Sequence, residues 1–121
     1  MFDTGSDVLW IPTQGCAGTC SNAQFNPGAS TTYNPGTYDL YLDYGDGSNV
    51  YGNFGSDVVT FPNSAIQKVQ TPILFVTQDN QDVSMASNGL IGLGYNLSVD
   101  NPFDSAWKAG QIATSAFALQ L

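Results

Sequence analysis

The sequence predicts an all-β domain with one short helix, on three observations. Thirteen glycines and six prolines punctuate 121 residues at short intervals. The apolar runs between them are mostly too short for helices, and one run alternates strictly between apolar and polar positions. At about 150 residues per domain the length admits one compact unit or a piece of one. With 42% apolar and 12% aromatic residues the chain can bury a core, and 10% charged residues are too few for disorder.

Taken in order, Asp3-Thr4-Gly5-Ser6 reads as a tight turn. Val8, Leu9, Trp10 and Ile11 form a short buried strand that Pro12 is expected to end. Residues 13–37, rich in Gly, Ser, Asn and Thr, read as loop and turns. Asp39 to Tyr44 is the alternating run, with Leu40, Leu42 and Tyr44 on one face and Asp39, Tyr41 and Asp43 on the other. Gly45-Asp46-Gly47-Ser48 follows, then Val50, Tyr51 and Phe54, so Asp-Gly turn chemistry predicts a β-hairpin. Further strands are expected at Val58 to Phe61, Ile73 to Thr77, Gly89 to Leu93 and Phe117 to Leu121. The helix is expected after Asn101 as cap, with Pro102 in its first turn, Phe103, Ala106 and Trp107 on one face, and Gly110 as its stop.

Charge and composition exclude whole classes of chemistry. Ten acids, all aspartate, stand against Lys68 and Lys108 alone, for a net charge of −8. That balance argues against a nucleic-acid partner. Self-repulsion of such a surface relaxes as carboxylates protonate, which suits an acidic environment. With no histidine, neither Ser-His nor Cys-His nucleophilic chemistry nor a His-zinc site can be built from these residues, and carboxylate chemistry remains. No apolar run reaches the length of a membrane span, so no membrane partner is expected. Cys16 and Cys20, with three residues between them, fit a small disulfide-closed loop better than a zinc site, which needs two further ligands. Asn96-Leu97-Ser98 is an N-glycosylation acceptor pattern.

Asp3-Thr4-Gly5-Ser6 is the most informative tetrapeptide, a carboxylate beside a glycine that permits a tight turn, flanked by two hydroxyls able to hold it. Gly92-Leu93-Gly94 lacks the third glycine and the βαβ frame of a dinucleotide site. A calcium loop started at Asp43 fails, because Gly45, Gly47 and Phe54 fall on ligand positions. No metal and no cofactor is expected.

The order Phe2-Asp3-Thr4-Gly5-Ser6, Val8 to Pro12, the Cys16/Cys20 loop, Gln24 to Pro27, Ser30 to Tyr33, Tyr44 to Ser48 and Gly89 to Gly94 resembles the N-terminal lobe of the pepsin-like aspartic endopeptidases over essentially the whole chain. The resemblance implies that Asp3 is one of two catalytic aspartates, that Ser6 hydrogen-bonds its outer oxygen and that Thr4 braces the turn around Gly5. It implies that Tyr44 is a flap tyrosine with Gly45 and Asp46 contacting bound peptide, that Trp10 supports Tyr44, and that Leu90 lines an apolar specificity pocket. Core packing accounts equally for a buried tryptophan and leucine at positions 10 and 90. Family members are two-lobed with a second Asp-(Thr/Ser)-Gly, whereas Asp-Thr-Gly occurs once here. Residues 1–121 are therefore expected to form a partial N-terminal lobe, without the sheet strands that precede the catalytic turn in the family. Such a lobe acts on a polypeptide substrate only when a C-terminal lobe or a second copy completes the dyad, and it belongs outside the cell or in an acidic lumen. A non-catalytic peptide-binding lobe is the alternative from another class.

Overall fold

A computed structural model of the chain describes residues 1–82 and 88–120. Among them six strands form one sheet: β1 (Phe2–Asp3), β2 (Leu9–Gly18), β3 (Asn34–Asp43), β4 (Asn49–Val59), β5 (Val69–Asp79) and β6 (Leu90–Gly92). A 3-10 turn, Pro27–Ala29, precedes β3, and one helix, α1 (Pro102–Lys108), follows β6. The spatial order is β1-β6-β2-β5-β4-β3.

The central pair, β2 and β5, is parallel, and the antiparallel β3–β4 hairpin makes the crossover between them. Both faces of this pair are covered, which is why 8–11 and 73–76 read as continuous apolar runs rather than alternating ones. On one face Val8, Trp10, Val50, Leu74, Val76 and Leu90 form a cluster, with Leu40, Leu42 and Tyr44 packed against it as the alternation of β3 requires. On the other face Leu9, Ile73 and Phe75 pack with Phe25 and Tyr33, whose ring meets Phe75 edge-on at 4.9 Å. A third cluster, Ile66, Val69 and Ala106 with Phe61 and Phe103, seats α1 beside the sheet.

Several expected boundaries move. Pro12 does not end β2: its carbonyl faces the Phe25 segment, which donates Phe25 N–H to it. The missing N–H lies on that same sparsely paired side, away from β5, so no ladder bond is lost. The strand then runs through residues 13–18, expected as loop, and Ala17 and Gly18 pair with Gln78 and Asp79. Residues 34–37 belong to β3 because Gly36 lets the backbone come against Phe54 and the Asn53 side chain accepts from its N–H at 2.8 Å. Val58 and Val59 close a longer strand, and Phe61 lies beyond it. Residues 117–120 form no strand: Phe117 packs on the Phe103 ring at 5.5 Å, and position 121 lies outside the described residues. In α1 the cap at Asn101 is joined reciprocally by Asp104, and Gly110 at φ +75° follows the end. Trp107, however, is half exposed rather than on the buried stripe, because Pro102, Ser105 and Ala106 fill the inward face.

Two buried aspartates titrate in opposite senses. Burial pushes Asp57 up, but bonds from Thr32 Oγ1, Val58 N–H and Ser30 Oγ outweigh it, so its carboxyl sits below the usual range. Such a group stabilises the fold above its unfolded pKa and loses that contribution as pH falls through its folded pKa. Asp79 is wholly buried at the end of β5; Oδ1 accepts from Gln81 N–H at 3.0 Å and Oδ2 has no hydrogen-bond partner among the described residues. Burial therefore raises its pKa, only partly offset by the Gln81 N–H. A raised acid favours folding when protonated, so its contribution is fully present below the unfolded pKa and is lost as pH rises through the folded value. Asp79→Asn is expected to raise the melting temperature at neutral pH and to change it little in acid below about pH 3. Asp57→Asn is expected to lower it at neutral pH, with the difference shrinking in acid. Thermal melts of both variants across pH check the pair, and parallel profiles would refute the assignment.

Candidate active site

The turn carrying Asp3 is built by backbone. β1 runs parallel to β6, with Phe2 opposite Ile91 and Asp3 opposite Gly92, and the flanking Met1 and Asp3 carbonyls each accept at 2.8 Å, from Ile91 and Leu93 N–H. This short strand is a neighbour that the sequence reading did not anticipate for the turn. Gly5 N–H donates to Asp3 Oδ1 at 2.9 Å, holding the carboxylate across the turn, while the side chain stays half-buried. The glycines of the 89–94 stretch serve close backbone approach. A Cβ on Gly92 would collide with the Asp7–Val8 backbone, and one on Gly94 would stand 2.9 Å from the Ser6 carbonyl. Gly92 and Gly94 N–H donate to the Val8 and Ser6 carbonyls at 3.1 and 2.8 Å, so the segment cradles the whole turn.

Above the turn stands the tip of the β3–β4 hairpin. Tyr44 N–H donates to Ser48 O at 2.9 Å, and Gly47 at φ +87° makes the reversal. Asp46 Oδ1 accepts from Ser48 Oγ at 2.6 Å and from Ser48 N–H at 2.9 Å, and these bonds hold its carboxyl below the usual range. Trp10, fully buried, donates its Nε1–H to the Tyr44 hydroxyl at 2.9 Å. Burial raises the Tyr44 pKa against the lowering effect of that N–H, and the charge of Asp3 raises it further. The hydroxyl therefore stays protonated.

Two clefts flank Tyr44. One, of about 160 Å³, is lined by Met1, Asp3, Tyr44, Asp46, Ser48, Gln81 and Leu90. The other, of about 260 Å³, includes Gly5, Ser6, Asp7, Leu42, Tyr44 and Gly45. The structure thus brings Asp3, Tyr44, Asp46 and Leu90 to one cleft and Gly5, Ser6 and Gly45 to its neighbour, while Thr4 lines neither. Leu90, 5% exposed, belongs both to the core cluster and to the cleft wall.

Two details depart from expectation. Ser6 Oγ is buried and lies toward the Tyr44 hydroxyl, so the expected bond to Asp3 is not formed; the Gly5 N–H holds that carboxylate instead. Thr4 is exposed, and no hydrogen bond from its side chain braces the turn among the described residues. Asp7 accepts from Asn96 Nδ2 at 2.5 Å and so ties the turn to the loop after β6. Gln81 is a cleft residue that the sequence did not disclose: a glutamine outside any motif carries no signal until the fold delivers it. Cys16 and Cys20 form a disulfide. Among the described residues no three acidic or cysteine side chains gather as a metal site, and no helix is long and apolar enough to cross a membrane.

An all-β lobe that holds an aspartate in a glycine turn beneath a tyrosine-tipped hairpin has the architecture of an aspartic peptidase lobe. Residues 1–121 match the family model of the eukaryotic aspartyl proteases, and the chain belongs to that family. It is 34% identical to rhizopuspepsin-5 and 35% identical to rhizopuspepsin-2 of Rhizopus niveus, over 99% of its own length and 32% of theirs. Against human gastricsin it is 35% identical over 83% of the chain and 26% of that protein. The chain spans about a third of the length of the rhizopuspepsins it matches.

Proposed function

We propose that this chain supplies one catalytic aspartate and the flap of an aspartic endopeptidase that cleaves polypeptides beside apolar residues in acid. The observation that carries this reading is that Asp3, Tyr44 and Leu90 line one cleft, with Tyr44 anchored by Trp10. The chemistry needs two carboxylates sharing one proton, since two adjacent negative charges are unfavourable. The ionised one takes a proton from water, and the protonated one gives a proton to the scissile carbonyl. Asp3 fills one of those places, and Ser6 and Thr4 flank it in the turn. The hairpin tip, Tyr44, Gly45 and Asp46, acts as a lid that excludes water and clamps an extended peptide, with Trp10 as its support. Leu90 provides the apolar wall of the adjoining subsite.

The second aspartate comes from a C-terminal lobe or, as the alternative, from a second copy of this chain across a two-fold axis. Alone and monomeric, the chain is inactive, because one carboxylate cannot be base and acid to the same water. The disulfide accords with an oxidising setting, outside the cell or in an acidic lumen. Hydrolysis of internally quenched apolar peptides at about pH 4 tests the reading, using the chain alone and the chain joined to a second aspartate-bearing lobe. Activity only in the joined protein is expected. A rate rising with the square of chain concentration would select the homodimer, and peptide binding without cleavage in the joined protein would overturn the catalytic assignment.

A further inference from the structure

The loop between β6 and α1 exposes more apolar surface than its length requires. Tyr95 is 82% and Leu97 88% exposed, and Trp107 on the outward face of α1 is half exposed. These three side chains and Asn96 line one groove of about 210 Å³, together with Asp100 and Asp104. Its acids are already ordered: Asp100 accepts from Lys108 Nζ at 2.7 Å, and Asp104 Oδ1 from Ser115 Oγ at 2.5 Å. Aromatic rings beside fixed acceptors suit a sugar, whose apolar ring face stacks on the rings while its hydroxyls reach the oxygens. Asn96 stands in the groove as the first residue of Asn96-Leu97-Ser98, an acceptor tripeptide with no proline at its centre. Ser98 is exposed, and its N–H donates to Asn96 Oδ1 at 2.8 Å.

We infer that Asn96 is a site of N-linked glycosylation and that the first N-acetylglucosamine lies in the groove against Trp107 and Tyr95. In the transfer, Asn96 Nδ2 attacks the anomeric carbon of a lipid-diphosphate-linked oligosaccharide. The C–N bond forms, the C–O bond to the diphosphate breaks with its electron pair, and Nδ2 gives up one proton. The remaining N–H can still serve the Asp7 carboxylate, which the free side chain holds at 2.5 Å. The sugar covers aromatic surface that would otherwise face water. The Cys16–Cys20 disulfide is consistent with passage through an oxidising secretory compartment.

The test is to direct the full chain through the secretory route of a eukaryotic host and read its intact mass before and after peptide-N-glycosidase treatment. The expected result is a glycan mass that the amidase removes, with Asn96 converted to Asp. Ser98→Ala should abolish it while leaving the Asn96 side chain in place for Asp7, and Ser98→Thr should restore it. A folded, secreted chain whose Asn96 peptide is unmodified overturns the site. For the groove, the glycosylated chain should melt higher than the unglycosylated Ser98→Ala chain, which keeps Asn96, and Trp107→Ala should remove that difference. An unchanged difference in Trp107→Ala overturns the seat of the sugar. None of these readouts depends on peptidase activity.

Discussion

Asp3→Asn, placed in the two-lobed protein, is expected to lower kcat for peptide hydrolysis by at least about 10³-fold while leaving the melting temperature within about 1 °C. The separation of the two effects follows from the geometry. The hydrogen bond holding the Asp3 carboxylate comes from Gly5 N–H to Oδ1 at 2.9 Å, and a carboxamide oxygen accepts the same bond. The turn is otherwise held by backbone bonds to the 91–94 segment, which the substitution does not touch. What is lost is the proton-sharing pair, because an amide neither takes a proton from water nor donates one as an acid at working pH. KM should stay near its original value, since the cleft wall at Leu90 and the hairpin tip are unaltered. Steady-state kinetics beside a thermal melt checks this, and hydrolysis at an undiminished kcat would remove Asp3 from the mechanism.

Trp10→Ala is expected to destabilise the fold by about 3–5 kcal/mol, a large share of the roughly 5–15 kcal/mol of a typical domain. Trp10 is the largest wholly buried side chain and sits among Val8, Val50, Leu74, Val76 and Leu90. The milder Trp10→Phe keeps most of that burial but leaves the half-buried Tyr44 hydroxyl without its donor, at a cost of about 1–3 kcal/mol. Adding Tyr44→Phe removes the orphaned hydroxyl, so the double variant should recover part of the loss, and the non-additivity measures the bond itself. Denaturant melts of the four proteins supply the cycle. Strict additivity would mean that the 2.9 Å contact contributes nothing, leaving packing as the whole role of Trp10.

Much of the site was legible in the sequence because its chemistry is local. An aspartate two residues before a glycine declares a turn that can hold a carboxylate, although the two hydroxyls beside it do not bond that carboxylate, and alternation from Asp39 to Tyr44 declares a hairpin arm with its apolar face inward. The helix was legible for the same reason, since Asn101, Pro102 and Gly110 act on backbone within a few residues of themselves. Elements set by distant partners were not. Pro12 reads as a strand end in every local rule, yet β2 passes through it because the side of the ladder it spoils is nearly unpaired. Phe117 reads as strand but has an aromatic ring of α1 to pack against instead. Trp107 has helical spacing to Phe103, but the width of the buried face is decided by the sheet beneath it.

The sequence by itself limited the chemistry that residues 1–121 can supply, because residue identities limit what can be built: with ten aspartates, two lysines and no histidine, carboxylates are the acid–base groups it offers. It also determined the family, through motifs whose order does not depend on knowing the fold. Only the tertiary structure decided which residues meet. The parallel pairing of β2 with β5 and the return of β6 beside β1 put Leu90 and Gln81 at the cleft with Asp3, placed Trp10 under Tyr44, and carried Asn96 to Asp7. Those partners lie 34 to 89 residues apart for the two hydrogen bonds concerned. Contacts across such separations are fixed by burying apolar faces against one another, and no local pattern in the chain encodes them.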